Sequence, residues 1–245
     1  MANKATFVSV VIPAYNEATY IDRLLEALSK QNFKSFEVIV SDAHSKDGTK
    51  EVIGAFKNRL DIKLVESPPK GPAHGRNAGA AKARGDWLLF LDADVDIDDS
   101  DFIDKMVGTA ESKSWSTATG RMKTRTGHSY DFLYYYQRML AHTRRPVASG
   151  YCILTKRKLF QVAGGFNENI LFGEDYEYVS RTASNGFGFV NTADVYIDPR
   201  RNQEEGLGLA WRGTQNEFYR LFFGYKKLEK QPVKYQFGKH QKRQK

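Results

Sequence analysis

Residues 87–101 read WLLFLDADVDIDDSD, five apolar residues in a row followed by carboxylates at Asp92, Asp94, Asp96, Asp98, Asp99 and Asp101. The apolar run has strand length and no polar alternation, which predicts a strand over 87–94 covered on both faces. Such strands belong to parallel sheets flanked by helices, and ligands of those sheets gather beyond the carboxyl ends of the strands. The acidic residues therefore fall where a site is expected. Like charge at that density calls either for water alone or for a bound divalent cation.

The same pattern recurs upstream. FVSVVIP (7–13), FEVIVSD (36–42) and IKLVES (62–67) read as strands, separated by helix-like stretches near 17–31, 48–58 and 72–84. Polar clusters follow three of the four strands: PAYNE after the first, SDAHSKDGT after the second and DADVDIDD after the fourth. Three convergent clusters outline a site where one would be unremarkable. Downstream, the spacing predicts a helix near 101–112, a strand near 115–121, an aromatic helix at 130–142, a strand near 147–154, and helices at 156–163 and from about 174. Short strands near 187–197 follow. The predicted fold class is α/β, a Rossmann-like, mostly parallel central sheet with helices on both faces.

Side chains two apart on a strand point the same way, so Asp92 and Asp94 are expected to present both carboxylates together. Hard oxygen donors of this kind suit Mg²⁺ or Mn²⁺, which retain waters and complete their shells with substrate phosphates. Asp98, Asp99 and Asp101 read instead as opening charges of the next helix, favoured by its dipole.

Four segments, in order and spacing, resemble the motifs of family 2 glycosyltransferases with the GT-A fold: VSVVIPAYNE, FEVIVSDAHSKDGT, GPAHGRNAGAAKARGDWLLFLDAD and GGFNENILFGEDYEYVSR. The resemblance covers residues 6 to 200 or so. It implies an inverting transfer of a sugar from a UDP-, GDP- or dTDP-linked donor to a saccharide or polyprenyl-phosphate-linked acceptor. It further implies that Pro13, Tyr15 and Glu17 line the nucleotide pocket, that Asp42 recognises base or ribose, and that Arg76 approaches the diphosphate. Asp92, Ala93 and Asp94 correspond to the DxD stretch, with the two carboxylates holding the metal. Asp175 corresponds to the catalytic base and Glu174 to its acceptor-side neighbour. The helix dipole at Asp175 is expected to keep it ionised at neutral pH. Where many members carry a second consecutive Asp after the second strand, this chain has Ala43, followed by His44, so the implied base selection departs from the family's pattern. Arg200 and Arg201 are adjacent cations that read equally as binders of a diphosphate or a lipid phosphate on the acceptor side and as plain surface charges.

The competing readings are a nucleotidyltransferase of similar architecture and a non-enzymatic polyanion binder. The first lacks its expected Gly-rich, Lys-bearing loop after the opening strand and leaves GED without a task. The second depends on the basic balance, a net charge of +8 on 245 residues. Eight Lys or Arg and one Glu lie after Tyr225, so seven of those eight charges belong to the last twenty residues. Charge confined to a terminus fits a tether to anionic lipid better than a nucleic-acid surface. The expected organisation is a transferase domain over 1–205, an amphipathic helix over 206–225 whose apolar face packs into the core or, in the alternative reading, dips into a bilayer, and a mobile basic tail over 226–245. Cys152 is the only cysteine, which excludes an internal disulfide and reads as core. No targeting stretch opens the sequence and no apolar run reaches the roughly 18 residues of a membrane span, so the expectation is cytoplasmic, with any membrane contact peripheral on the cytosolic face.

Overall fold

The computed structural model describes residues 6–125, 131–143, 145–198 and 207–230. The strands are β1 (Val8–Ala14), β2 (Phe36–Asp42), β3 (Ile62–Glu66), β4 (Trp87–Leu91), β5 (Thr117–Lys123), β6 (Cys152–Lys156) and β7 (Phe187–Tyr196). They form one seven-stranded sheet of order β3-β2-β1-β4-β6-β5-β7. All run the same way except β6, which is antiparallel to both β4 and β5.

The uninterrupted apolar character of β1 and β4 follows from two cores rather than one. Val8, Val10 and Ile12 of β1 and Leu89 and Leu91 of β4 enter one; Val11, Leu88 and Phe90 enter the other. On the first face lie α1 (Ile21–Ser29), α2 (Thr49–Ala55) and α4 (Phe102–Ser112); on the second lie α3 (Pro72–Ala80), α6 (Arg157–Ala163) and α7 (Glu174–Thr182). Helix α1 buries Ile21, Leu24, Leu25 and Leu28, the one-faced spacing of an ordinary surface helix. Helix α3 lies close against the strands because it is glycine-rich on that side: a Cβ on Gly75 would meet the Pro13 Cβ at 2.9 Å.

Three boundaries differ from the sequence reading. Strand β4 ends at Leu91, and Asp92–Val95 is a turn closed by a 3.4 Å bond from the Val95 N–H to the Asp92 carbonyl. Asp92 and Asp94 are thus presented by a turn, not by strand alternation. Strand β6 starts at Cys152 rather than near 147, because the backbone groups of Gly150 and Tyr151 bond to Asp175, Arg76 and the Asp92 N–H. The stretch 187–197 holds one long strand, β7 (Phe187–Tyr196), whose register jumps, Gly120 facing Val190 and Arg121 facing Asp194. That bulge aims Asp194 at Arg121 (2.5 Å) and Lys123 (2.7 Å).

The chain continues through α5 (Asp131–Leu140), and after β7 through α8 (Leu207–Phe222) and α9 (Tyr225–Lys230). Of the expected basic tail, residues 226–230 belong to α9, whose Leu228 is buried against Ile170; the remainder, like Arg200 and Arg201, lies outside the described residues. No helix among the described residues is long and apolar enough to cross a membrane. Cys152 is buried, and burial pushes its thiol up to about 12, as befits a core residue.

Candidate active site

The carboxyl ends of β1, β2 and β4 and the start of the antiparallel β6 share one edge of the sheet, since Leu91 is opposite Cys152 and Ala14 is beside Asp42. Pro13, Tyr15 and Glu17, all partly exposed, leave β1 there. Their loop is tied to the loop after β2: the Asn16 N–H donates to Ser45 Oγ (2.8 Å), the Glu17 N–H to Thr49 Oγ1 (2.9 Å) and the Ala18 N–H to Asp47 Oδ2 (3.0 Å). Asp47 also accepts from Thr49, and Gly48 takes φ 95°, so DGT staples the two loops together. Asn16 and His44 adopt left-handed φ of 54° and 60° at the bends.

Asp42 is fully buried. Its Oδ2 accepts from the Ser45 N–H (3.1 Å) and faces Lys50 Nζ at 3.5 Å, while Oδ1 has no partner. Ser41 Oγ and Ser67 Oγ at the same strand ends are also buried without partners. Buried polar atoms left unmatched are costly and ask for a ligand or water. The two serines were passed over in the sequence because a serine ending an apolar run carries no pattern of its own. Ala43 is buried and offers no polar side chain, and His44 is exposed. His74 contacts Glu168 at 3.3 Å.

At the centre is Arg76, carried by α3 and buried. It donates to Asp92 Oδ1 (2.7 Å), Glu174 Oε1 (2.7 Å) and the Gly150 carbonyl (3.3 Å), and its guanidinium lies 5.3 Å from the Phe166 ring centroid. Burial works against its charge, but Asp92 and Glu174 outweigh that and hold it above even the usual arginine range. One cation therefore ties the DxD turn to the GED helix. Gly150 is required beside it, because a Cβ there would overlap the guanidinium.

Asp175 opens α7 next to this pair. Its Oδ2 accepts from the Gly150 N–H (2.6 Å) and its Oδ1 from the Tyr176 N–H (2.8 Å). Burial first, and the neighbouring Glu174 second, raise its carboxyl to about 7, against the opposing pull of Arg76 and the two N–H bonds. The expectation of an ordinary ionised carboxylate is thereby corrected: desolvation beside a second acid outweighs the helix dipole. Gly173, at φ 89°, precedes the pair, and a Cβ on it would overlap the Asn216 side chain of α8.

The acidic run divides in two. Asp96 pairs with Arg23 (3.2 Å) and Arg125 (3.4 Å), Asp98 with Arg125 (2.7 Å), and Asp99 with Lys105 (2.5 Å), while Asp101 accepts from Asn32 (2.8 Å). Neighbouring cations and an amide therefore balance the later carboxylates. Asp92, whose Oδ1 is held by Arg76, and Asp94 present hard oxygen donors at the sheet edge. No cluster of three metal-ligating side chains occurs among the described residues. A two-carboxylate set of this type fits Mg²⁺ or Mn²⁺ completed by phosphate and water, and does not fit an all-protein cage.

The family described as Glycosyl transferase family 2 matches residues 9–164, which span the three strand-end clusters and Gly150. Glycosyltransferase AglE of Haloferax volcanii is 28% identical over 206 residues, covering 80% of this chain and 67% of AglE. Among solved structures, S. aureus TarS 1-349 in complex with UDP-GlcNAc superposes with a TM-score of 0.67 at 24% identity, over 78% of this chain and 58% of that one. The mannosyltransferase PcManGT from Pyrobaculum calidifontis, in complex with GDP-Man and Mn²⁺, does so with a TM-score of 0.71 at 24% identity, over 84% and 60%. The chain thus spans about three fifths of these structural neighbours and shares their GT-A fold. With the match covering most of the sheet and its edge, this chain belongs to glycosyl transferase family 2.

Proposed function

We propose that the protein is an inverting, metal-assisted glycosyltransferase that moves a sugar from a nucleoside-diphosphate sugar to an acceptor hydroxyl or lipid phosphate. The observation that carries this reading is the Arg76 bridge. It holds the Asp92 turn and the GED helix in one unit, with the Asp175 carboxyl fixed by the Gly150 N–H alongside.

In this reading Pro13, Tyr15, Glu17 and Asp42 receive the nucleotide. Asp92 and Asp94 would hold a divalent cation, which supplies Lewis-acid stabilisation of the departing diphosphate. Asp175 accepts the proton of the acceptor hydroxyl as that oxygen attacks the anomeric carbon, and attack opposite the leaving group inverts the centre. A carboxyl raised to about 7 is well matched to that task, since a base works best with a pKa near the operating pH. Glu174, held by Arg76, supports Asp175 on the acceptor side, and Arg200 and Arg201 are adjacent cations in the sequence suited to an acceptor phosphate. The UDP-GlcNAc bound in the TarS structure and the GDP-Man bound in that of PcManGT support a nucleotide-sugar donor without choosing between them.

The test is to incubate the purified protein with UDP-GlcNAc, UDP-glucose and GDP-mannose in the presence of Mn²⁺ and to identify the released nucleotide. Nucleoside diphosphate release that disappears in Asp175→Asn while donor binding persists is the expected result. Release of pyrophosphate, or full turnover in the variant, would refute the assignment.

A further inference from the structure

Helix α8 is built inside out. Asn216 and Arg220 are buried and Glu217 is mostly so, all turned toward the protein, while Trp211, Phe218, Leu221 and Phe222 are 70%, 50%, 58% and 71% exposed. Phe223, at the helix end, is 57% exposed. A surface helix ordinarily does the reverse, as α1 does. The expectation that the apolar side of 206–225 packs into the core is therefore corrected. The physical reason is visible underneath the helix. Glu217 accepts from Tyr136 (2.7 Å) and binds Arg220 (2.6 Å), and Arg145 donates to the Arg220 carbonyl (3.1 Å). These polar contacts occupy the inner side and leave the aromatic side outward.

Helix α5, bonded to α8 through Tyr136, adds Phe132, Tyr135 and Met139 at 80%, 64% and 63% exposure. Eight of the ten large apolar side chains exposed among the described residues thus lie on α5, on α8 or directly after α8. A concentration of that kind marks an interaction surface. The unit carrying it is anchored: the Tyr225 hydroxyl donates to the Tyr176 carbonyl (3.1 Å) and Leu228 is buried against Ile170.

We propose that this face is a peripheral docking surface for an anionic lipid bilayer, with α8 lying flat in the headgroup region. Two observations select the occupant. The aromatic residues are those that favour the interface between headgroups and acyl chains. The sequence then delivers eight Lys or Arg against one Glu over residues 226–245, beginning at the exposed Lys226; such a run is drawn to acidic lipid. A second copy of the chain would bring the same basic run against itself. Because Asn216 on the inner side of α8 lies against Gly173, the bilayer surface would stand about one helix diameter, roughly 10 Å, from the GED loop. A lipid-borne acceptor of the proposed reaction would arrive beside Asp175. That corollary rests on the transferase reading; the binding does not.

The experiment is co-sedimentation of the full chain with vesicles of phosphatidylcholine alone and with phosphatidylglycerol added, alongside its mass in solution by light scattering. Binding to the anionic vesicles is expected, weakened by salt. It should fall by about tenfold or more in Trp211→Ser/Phe222→Ser and again in Lys226→Glu/Lys227→Glu, with the circular dichroism of both unchanged. Donor binding, measured separately, should stay at the wild-type level. No vesicle binding by the wild type, binding indifferent to either double substitution, or a dimer in solution that Trp211→Ser/Phe222→Ser dissolves would each overturn the proposal.

Discussion

The donor half of the site and the acid half are finished to different degrees. At the ends of β2 and β3, Asp42 Oδ1, Ser41 Oγ and Ser67 Oγ are buried without partners. Across the sheet edge, both terminal guanidinium nitrogens of Arg76 and both oxygens of Asp175 are engaged by Asp92, Glu174, Gly150 and Tyr176, while Arg76 Nε is buried without a hydrogen-bond partner. The first half leaves hydrogen-bonding capacity for a ligand to fill; the second is arranged in advance, so its groups need little reorganisation when charge develops. Substitutions in the acid half should therefore damage turnover or folding, and those in the donor half should show mainly in binding.

The largest effect should come from Asp175→Asn, with kcat lowered by roughly 10²–10⁴-fold, the range for loss of a general base, and donor affinity by calorimetry unchanged. Loss of donor affinity in step with kcat would break the division between the halves. The same variant has an opposite signature in stability. A carboxyl raised to about 7 contributes stability while protonated, fully below its unfolded value near 4, and loses it as pH rises through about 7. Asp175→Asn should accordingly raise the thermal midpoint at pH 8 by several degrees and by less at pH 4.5, read by calorimetric scanning.

Next is Arg76→Gln, which leaves the buried Glu174 and the partly exposed Asp92 without their cation; about 3–5 kcal/mol of stability should be lost, the cost of breaking a buried ion pair from one side, read by urea titration. A stable Arg76→Gln protein with only a donor-binding defect would instead mean that Arg76 serves the diphosphate directly.

The pH dependence of kcat/KM for the wild type should be smaller in extent, rising about tenfold per pH unit below 7 and levelling above it, because Asp175 must lose its proton to act as base. Smallest is Ser67→Ala. Removing an unpartnered hydroxyl should change stability of the free protein by less than about 0.5 kcal/mol, while a several-fold loss of nucleotide affinity would identify that oxygen as one the ligand satisfies. No change in either would assign it to water.

Several features were legible in the linear chain because they depend on local periodicity. Near-continuous apolar runs at 7–13, 36–42 and 87–94 predicted strands covered on both faces, and the structure divides each of β1 and β4 between two cores. Carboxylates and turn residues after those runs predicted a site at one sheet edge, where Asp42, Asp92 and Asp94 are found. The alternation argument for Asp92 and Asp94 did not hold, since a strand's end is set by where its neighbours stop pairing rather than by its own residues.

Contacts between distant segments were decided only in three dimensions. Arg76 and Glu174 lie 98 residues apart and Gly150 and Asp175 lie 25 apart, and nothing in their local sequence specifies those pairings. The proton affinity of Asp175 likewise depends on burial and on which charges other elements bring near, so helix position alone misjudged it. Most clearly, the spacing of Trp211, Phe218 and Phe222 predicted an amphipathic helix but not which side turns inward. That choice was made by Tyr136, Arg145 and the buried Arg220: periodicity defines the faces of a helix, while the polar partners waiting on the rest of the fold determine which face the protein keeps.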